Sequence, residues 1–267
     1  MHKYIQSLQN SSIKYLLQLK EKSRVRRKEK SFLIEGRREI GLAIEGGYLI
    51  HQIFYYAAII SVEEIHLLIS NHKSSIELIE ITKDIFEKVA YRDTTEGILA
   101  VAKSIDLHIS NFSFSNKNPL FIVAEAPEKP GNIGAILRTA DAAQVDGVLI
   151  ANPKSDLYNP NIIRSSVGCI FTNKIATGTN DEIISFLKNN GINIYGAALE
   201  ASVPYYTQDY TQSTAIVVGT EATGLTQDWL AVTKHNIIIP MNGVIDSMNV
   251  SVAAGILIYE AKRQRGF

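Results

Sequence analysis

Residues 120–138 read LFIVAEAPEKPGNIGAILR, and this stretch decides the fold class. Leu120–Ala124 is a continuous apolar run, the mark of a strand covered on both faces of a parallel sheet. A Pro-Gly turn follows, then Asn132 as a capping-type residue, then a helix over Ile133–Ala143. Arg138 sits one to two turns inside that helix. The same alternation continues downstream. Strands are predicted at Gly147–Ala151, Ile192–Ala198, Thr214–Val218 and Asn236–Ile239, with helices near Asp181–Asn189 and Asn249–Arg263. Residues 119–267 therefore read as an α/β domain on a parallel sheet.

Upstream, residues 105–118 are polar and turn-rich and read as a linker. Residues 31–104 read as a second, smaller α/β unit. Its strands are Ser31–Glu35, Ile50–Tyr56, Ser75–Ile81 and Gly97–Lys103. Its helices are Glu39–Glu45, Ser61–Ser70 and Thr82–Ala90. Residues 1–30 read as a basic helical extension.

The chain has 267 residues, with 27 Lys+Arg against 27 Asp+Glu. That zero total hides an asymmetry. Residues 1–40 hold 11 basic and 4 acidic side chains, a net of +7, and the remainder carries −7. Arg24, Arg26, Arg27 and Lys28 crowd together, with Arg37 just beyond. A solvated helix face accounts for such a run, and so does phosphate contact, in which each cation gains from counterion release. The local excess favours phosphate contact.

A single cysteine, Cys169, excludes an intrachain disulfide and a cysteine-based zinc site, and points to the reducing cytoplasm. Six scattered histidines offer no helical ligand pair, so no metal is expected. The apolar run Ile53–Ile60 falls well short of the ~18 residues needed to span a bilayer.

Ligands of an open parallel sheet bind beyond the carboxyl ends of its strands. Three segments sit there. Pro130–Arg138 has two readings: an ordinary capped turn, or an anion site with Arg138 as a clamp. Gly219–Thr226 spaces its glycines as a P-loop does, but Leu225 stands where lysine must be, so triphosphate binding is rejected. Glu221 lies in that turn. The third segment runs from Ile239-Pro240-Met241 to Ser247-Met248-Asn249-Val250-Ser251, with Ser247 and Asn249 as capping residues of the last helix.

Taken together, the three segments resemble the three motifs of the SpoU (TrmH) branch of the SPOUT RNA methyltransferases. Asn132, Gly134 and Arg138 match Asn-x-Gly-x-x-x-Arg. Gly219, Glu221 and Gly224 match Gly-x-Glu-x-x-Gly, and Ile239–Met241 with Ser247–Ser251 matches the third. Leu33–Arg37 and Thr95–Val101 resemble the small ribosomal-protein-like RNA-binding domain that precedes it in many members. Met248 replaces the usual leucine, and residues 125–130 are acidic and proline-rich where relatives carry an Asp-Pro turn.

The resemblance implies a deep trefoil knot in the C-terminal domain, a homodimer, and bent S-adenosylmethionine as cofactor. It implies methyl transfer to a ribose 2′-hydroxyl of structured RNA, ribosomal (23S-type) before transfer RNA. Gly219, Ile239, Met248 and Leu199 would contact the cofactor. Arg138, assisted by Asn132, Glu221, Ser247 and Asn249, would serve catalysis. A catalytically silent RNA-binding or ribosome-assembly factor on the same fold is the alternative. The presence of Arg138, Glu221 and Asn249 argues against it.

Overall fold

The apolar runs become strands where the sequence places them, and the strands assemble into two separate sheets. The computed structural model describes residues 3–72, 75–91 and 96–267. Thr95, part of the ribosomal-protein-like stretch quoted above, lies outside the described residues.

The first unit comprises the chain up to Ile105 together with Asp156–Thr172. Its strands are β1 (Lys3–Ile5), β2 (Ser31–Glu35), β3 (Ile50–Tyr55), β4 (Glu77–Ile81) and β5 (Ile98–Lys103), ordered β1-β4-β3-β5-β2. β4 runs parallel to β1 and β3, and β5 antiparallel to β2 and β3. Its helices are α1 (Ser11–Glu21), α2 (Ser23–Glu29), α3 (Arg37–Glu45), α4 (Val62–Leu68) and α5 (Lys83–Val89).

Residues 1–30 are not the separate extension that their charge suggests. Asn10 caps α1 by accepting from the Ser12 amide at 2.8 Å. Ile13, Leu16 and Leu19 then form one apolar stripe, buried with Phe54, Leu99 and Val101 in this unit's core. Spacings of three residues put those side chains on one helix face. Lys30 takes a left-handed conformation (φ 45°) and turns the chain from α2 into β2.

The second unit comprises residues 106–155 and 173–267. In chain order the elements are β6 (Leu120–Glu125), α6 (Pro130–Ala142), β7 (Gly147–Ala151), α7 (Pro160–Ser165), β8 (Ile175–Gly178), α8 (Asn180–Asn189) and β9 (Asn193–Ala197). β10 (Ser202–Pro204), β11 (Thr214–Val218), α9 (Gln227–Leu230), β12 (His235–Ile238) and α10 (Val250–Arg265) follow. The helix α7 belongs to the first unit by its contacts.

Seven parallel strands form one sheet ordered β10-β12-β9-β11-β6-β7-β8. Phe121, Val123, Leu149, Val217 and Trp229 fill the core on one side. Ala197, Val218 and Ala124 stand level in register, so β9, β11 and β6 end together, with β12 beside β9. The segments that leave β9, β11 and β12 therefore emerge side by side. β1, β8, β10, α7 and α9 have no counterpart in the sequence reading; each is only three to six residues long.

The stretch read as a linker is tied down. His108 bridges to Thr177, and the rings of Phe112 and Phe114 pack against Phe121 with centroids 5.8 and 5.3 Å away. A Cβ on Gly147 would meet the Phe112 ring at 2.6 Å, so the packing requires glycine there.

Candidate active site

The loop after β11 closes on itself. Thr220 and Gly224 exchange backbone hydrogen bonds at 3.1 Å each. A Cβ on Gly219 would lie 2.2 Å from the Gly224 carbonyl, and Gly224 has φ +66°. Both glycines of the false P-loop are thus demanded by this tight closure. The turn holds Glu221 at the rim.

Three chain segments meet at Glu221. Its Oε1 accepts from the side-chain amides of Asn132 at 3.0 Å and Asn249 at 2.8 Å. Its other oxygen accepts from the Lys129 ammonium. Asn249 also donates to Asn132 Oδ1 at 3.1 Å. Hydrogen bonding from Lys129, then from Asn132, holds the Glu221 carboxyl below the usual carboxylate range, so it is an anion at neutral pH.

Asn249 does two jobs. Its Oδ1 caps α10 by accepting from the Ser251 amide at 3.0 Å, which leaves the amide nitrogen to face Glu221. Asn132 departs from the sequence reading. The helix begins earlier, with Pro130 at its first position and Lys129 at the cap position. Asn132 therefore lies within the first turn, and its side chain is available to bond Glu221. Ser247 also departs from its capping role; it donates to Asp246 Oδ1 at 3.2 Å.

Arg138 is exposed and, among the described residues, makes no hydrogen bond or ion pair. It follows Asn132 by six residues, roughly 240° around the helix at ~3.6 residues per turn. Within one chain no hydrogen bond ties Arg138 to Asn132, Glu221, Ser247 or Asn249. Lys129 is the site residue that sequence reasoning missed. The signal was a cation directly before Pro130.

Beside the cluster lies a cleft of about 580 Å³ at the ends of β9, β11 and β12. Gly219, Ile239, Met248 and Leu199 all line it, so the structure brings the four expected cofactor contacts together. Ile237, Met241 and Leu225 add apolar wall, while Glu200, Asp246 and Ser247 supply polar edges. That volume and mixture suit a mid-sized organic molecule with one apolar body and a few polar groups. A sulfonium-bearing nucleoside has that chemistry: apolar walls for an adenine, acids for an amino group and ribose.

The five basic residues assigned to RNA divide. Arg24, Arg27 and Lys28 are exposed. Arg26 is corrected: it is 4% exposed, pairs with Asp156 at 2.5 Å and donates to the Leu19 carbonyl at 2.6 Å. Those bonds hold the guanidinium inside the first unit. Arg37 is half-buried and spends one nitrogen on Glu64 at 2.9 Å. Among the described residues no three His, Cys, Asp or Glu side chains converge as a metal site. No helix among them is long and apolar enough to cross a membrane.

Comparison with known proteins also matches the chain in two parts. Residues 119–259 match the SpoU rRNA methylase family, and residues 10–100 match an MRM3-like substrate binding domain. A 23S rRNA (guanosine(2553)-2′-O)-methyltransferase of Bacillus subtilis is 29% identical, covering 97% of this chain and 99% of its own. A solved RNA 2′-O ribose methyltransferase superimposes with a TM-score of 0.83 at 34% identity, covering 98% of this chain and 99% of its own. The SpoU methyltransferase AviRb from Streptomyces viridochromogenes, solved with its cofactor AdoMet, gives a TM-score of 0.87 at 26% identity over 96% of this chain and 98% of its own. Matched over more than half its length, with the motif residues gathered at one rim, the chain belongs to the SpoU rRNA methylase family.

Proposed function

We propose that the chain transfers a methyl group from S-adenosylmethionine to a ribose 2′-hydroxyl of structured RNA, ribosomal RNA of the 23S type before transfer RNA. The observation that carries this reading is the Glu221–Asn132–Asn249 cluster at the rim of the apolar strand-end cleft. When bound, the cofactor supplies an electrophilic methyl group. Gly219, Ile239, Met248 and Leu199 would hold it through backbone groups and apolar walls.

The chain's own contribution is largely positioning, which lowers the barrier by holding both reactants at near-attack distance. Glu221 fixes Asn132 and Asn249, so the two amides present a set geometry to the incoming ribose. Arg138 is too strong a cation to act as base. Its role is to hold the neighbouring phosphate and stabilise charge developing on the oxygen. With no partner among the described residues of its own chain, it acts on RNA at a site completed by a second subunit. Val244, Ile245, Val252 and Tyr259 stand exposed in this unit, which supports a homodimer.

The trefoil knot of the family belongs to the same proposal. Its support is that α10, which follows β12, packs back on α6, β6 and β11, so residues 239–249 cross the strand ends. The first unit is read as the RNA-binding domain, with Arg24, Arg27 and Lys28 as phosphate contacts. A cytoplasmic setting rests on the single cysteine, Cys169, which leaves no intrachain disulfide to form.

The test is mass-spectrometric mapping of 2′-O-methyl groups in ribosomal and transfer RNA incubated with the protein and S-adenosylmethionine. Arg138→Ala is expected to retain calorimetric cofactor binding and lose methylation. Full methylation by that variant overturns its role. Absence of cofactor binding in the wild type favours the silent RNA-binding alternative.

A further inference from the structure

The first unit contains a cavity of about 320 Å³, and none of its described lining residues belongs to the methyl-transfer site. Every wall belongs to that unit: residues from α1, β2, α3 and α5, and from the returning segment Asp156–Thr172. Among the described residues three carboxylates line it, and they differ in one respect. Glu35 accepts from the Tyr91 amide at 2.5 Å. Glu96 accepts from the Arg37 amide. Glu39 is 6% exposed, its carboxylate lies against Gly36, and among the described residues it has no hydrogen-bond or ion-pair partner.

A carboxylate that has no protein donor, yet is not sealed off from the cavity, is an acceptor left for a donor that enters. The rest of the lining is built differently. The Tyr91 ring, 42% exposed, carries the Arg164 guanidinium at 5.1 Å and the Lys20 ammonium at 5.6 Å from its centroid. Arg38 also lines the cavity, exposed and unpaired among the described residues. A buried acceptor, an aromatic ring beside a planar cation, and an exposed unpaired cation describe the needs of one nucleotide. Unpaired RNA bases are held in this manner, stacked on aromatic or guanidinium planes and hydrogen-bonded along an edge.

We propose that this cavity receives an unpaired guanine of the RNA substrate, with Glu39 accepting from N1–H and the 2-amino group. The proposal rests on the reading of this chain as an RNA enzyme. Among the four bases only guanine presents two adjacent donors that match the two oxygens of one carboxylate. Adenine and cytosine each set a ring acceptor beside their amino group, and uracil flanks its single N–H with carbonyls. Those edges would turn an acceptor toward Glu39. Arg38 then meets the adjoining phosphate, and Tyr91 with Arg164 gives the stacking surface.

The test uses the full chain and short fluorescent RNA oligomers of uridine with one central guanosine, inosine or adenosine. Inosine lacks only the 2-amino group. Anisotropy titrations are expected to show inosine about tenfold weaker than guanosine, and adenosine weaker still. Glu39→Gln keeps the shape but turns a donor toward the base, so it should erase the order guanosine, inosine, adenosine. The wild-type series needs no variant to fold. Equal binding of the three oligomers by the wild type overturns the pocket, as does a Glu39→Gln protein that keeps the guanosine preference. Failure to bind any RNA, alongside absence of methyl transfer to ribosomal RNA, removes the reading beneath it as well; normal methyl transfer with no base preference removes the pocket alone.

Discussion

Two polar networks hold the two ends of one loop, and they are built to opposite specifications. At the Thr226 end the network is sealed. Glu125, 2% exposed at the end of β6, accepts from the Thr226 amide at 2.9 Å, the Thr226 hydroxyl at 2.6 Å and the Asn180 amide at 2.8 Å. Asn180 in turn accepts from the Trp229 indole at 3.0 Å. At the Glu221 end the network is open. Its lysine side chain is 69% exposed, and it borders the cleft. The sealed network fixes where the loop ends; the open one offers a prearranged polar edge to a ligand. Satisfaction without solvent marks structure, and satisfaction at a rim marks a site.

That contrast can be broken experimentally, and the first unit supplies its extreme case. Arg26→Ala leaves Asp156 as an uncompensated charge whose side chain is 10% exposed. Chemical denaturation is expected to report a loss of about 3–5 kcal/mol. Arg27→Ala, one residue on and exposed, should cost within about 0.5 kcal/mol, as surface changes do. Next, Glu125→Ala strips donors of their buried acceptor and should cost about 2–3 kcal/mol. A stability unchanged within error would show that the sealed network is not structural.

Glu221→Gln reverses the pattern. Methyl transfer should fall by about tenfold through lost positioning, with little change in melting temperature at neutral pH. Acid should expose what small margin there is. Because the folded Glu221 titrates below its ordinary value of 4.5, its contribution is complete above that pH and fades as the pH drops further. The wild-type and Glu221→Gln melting curves should therefore converge below pH 4.5. Smallest of all, replacing Arg24, Arg27 and Lys28 by glutamine should leave stability alone. It should flatten the log–log salt slope of RNA binding by about one for each phosphate no longer neutralised. An unchanged slope would place the grip elsewhere.

The sequence made most of the open network legible because Asn132, Glu221 and Asn249 sit in short motifs with fixed internal spacing, and the structure gathers those three, although Asn132 is not the helix cap. The sealed network left no such trace. Glu125 looked like part of an acidic, proline-rich turn, while its partners lie 55 and 101 residues away. Burial that depends on distant segments has no local pattern to betray it. Arg26 was misjudged for a related reason. A charge run reads as a solvated face, and helical geometry alone selects the one member that points inward. Lys129 offered only a cation before Pro130, because an ion pair between segments 92 residues apart leaves no spacing pattern in either one. The short elements β8, β10, α7 and α9 escaped because three to six residues carry too little periodicity to register.

The excursion of Asp156–Thr172 into the first unit has a consequence for inheritance. Tyr158 stacks on Phe32 at 4.4 Å, and Phe171 meets Tyr48 at 5.0 Å, so this piece is part of the first unit's own core. Yet it lies inside the stretch matched as the methylase, residues 119–259. Neither unit is a continuous length of gene. A natural or laboratory crossover that exchanges residues 1–105 alone would deliver a new head whose aromatic keystone remains coded by the old tail. Chimeras between relatives should survive only when the seventeen codons for 156–172 travel with the front of the gene.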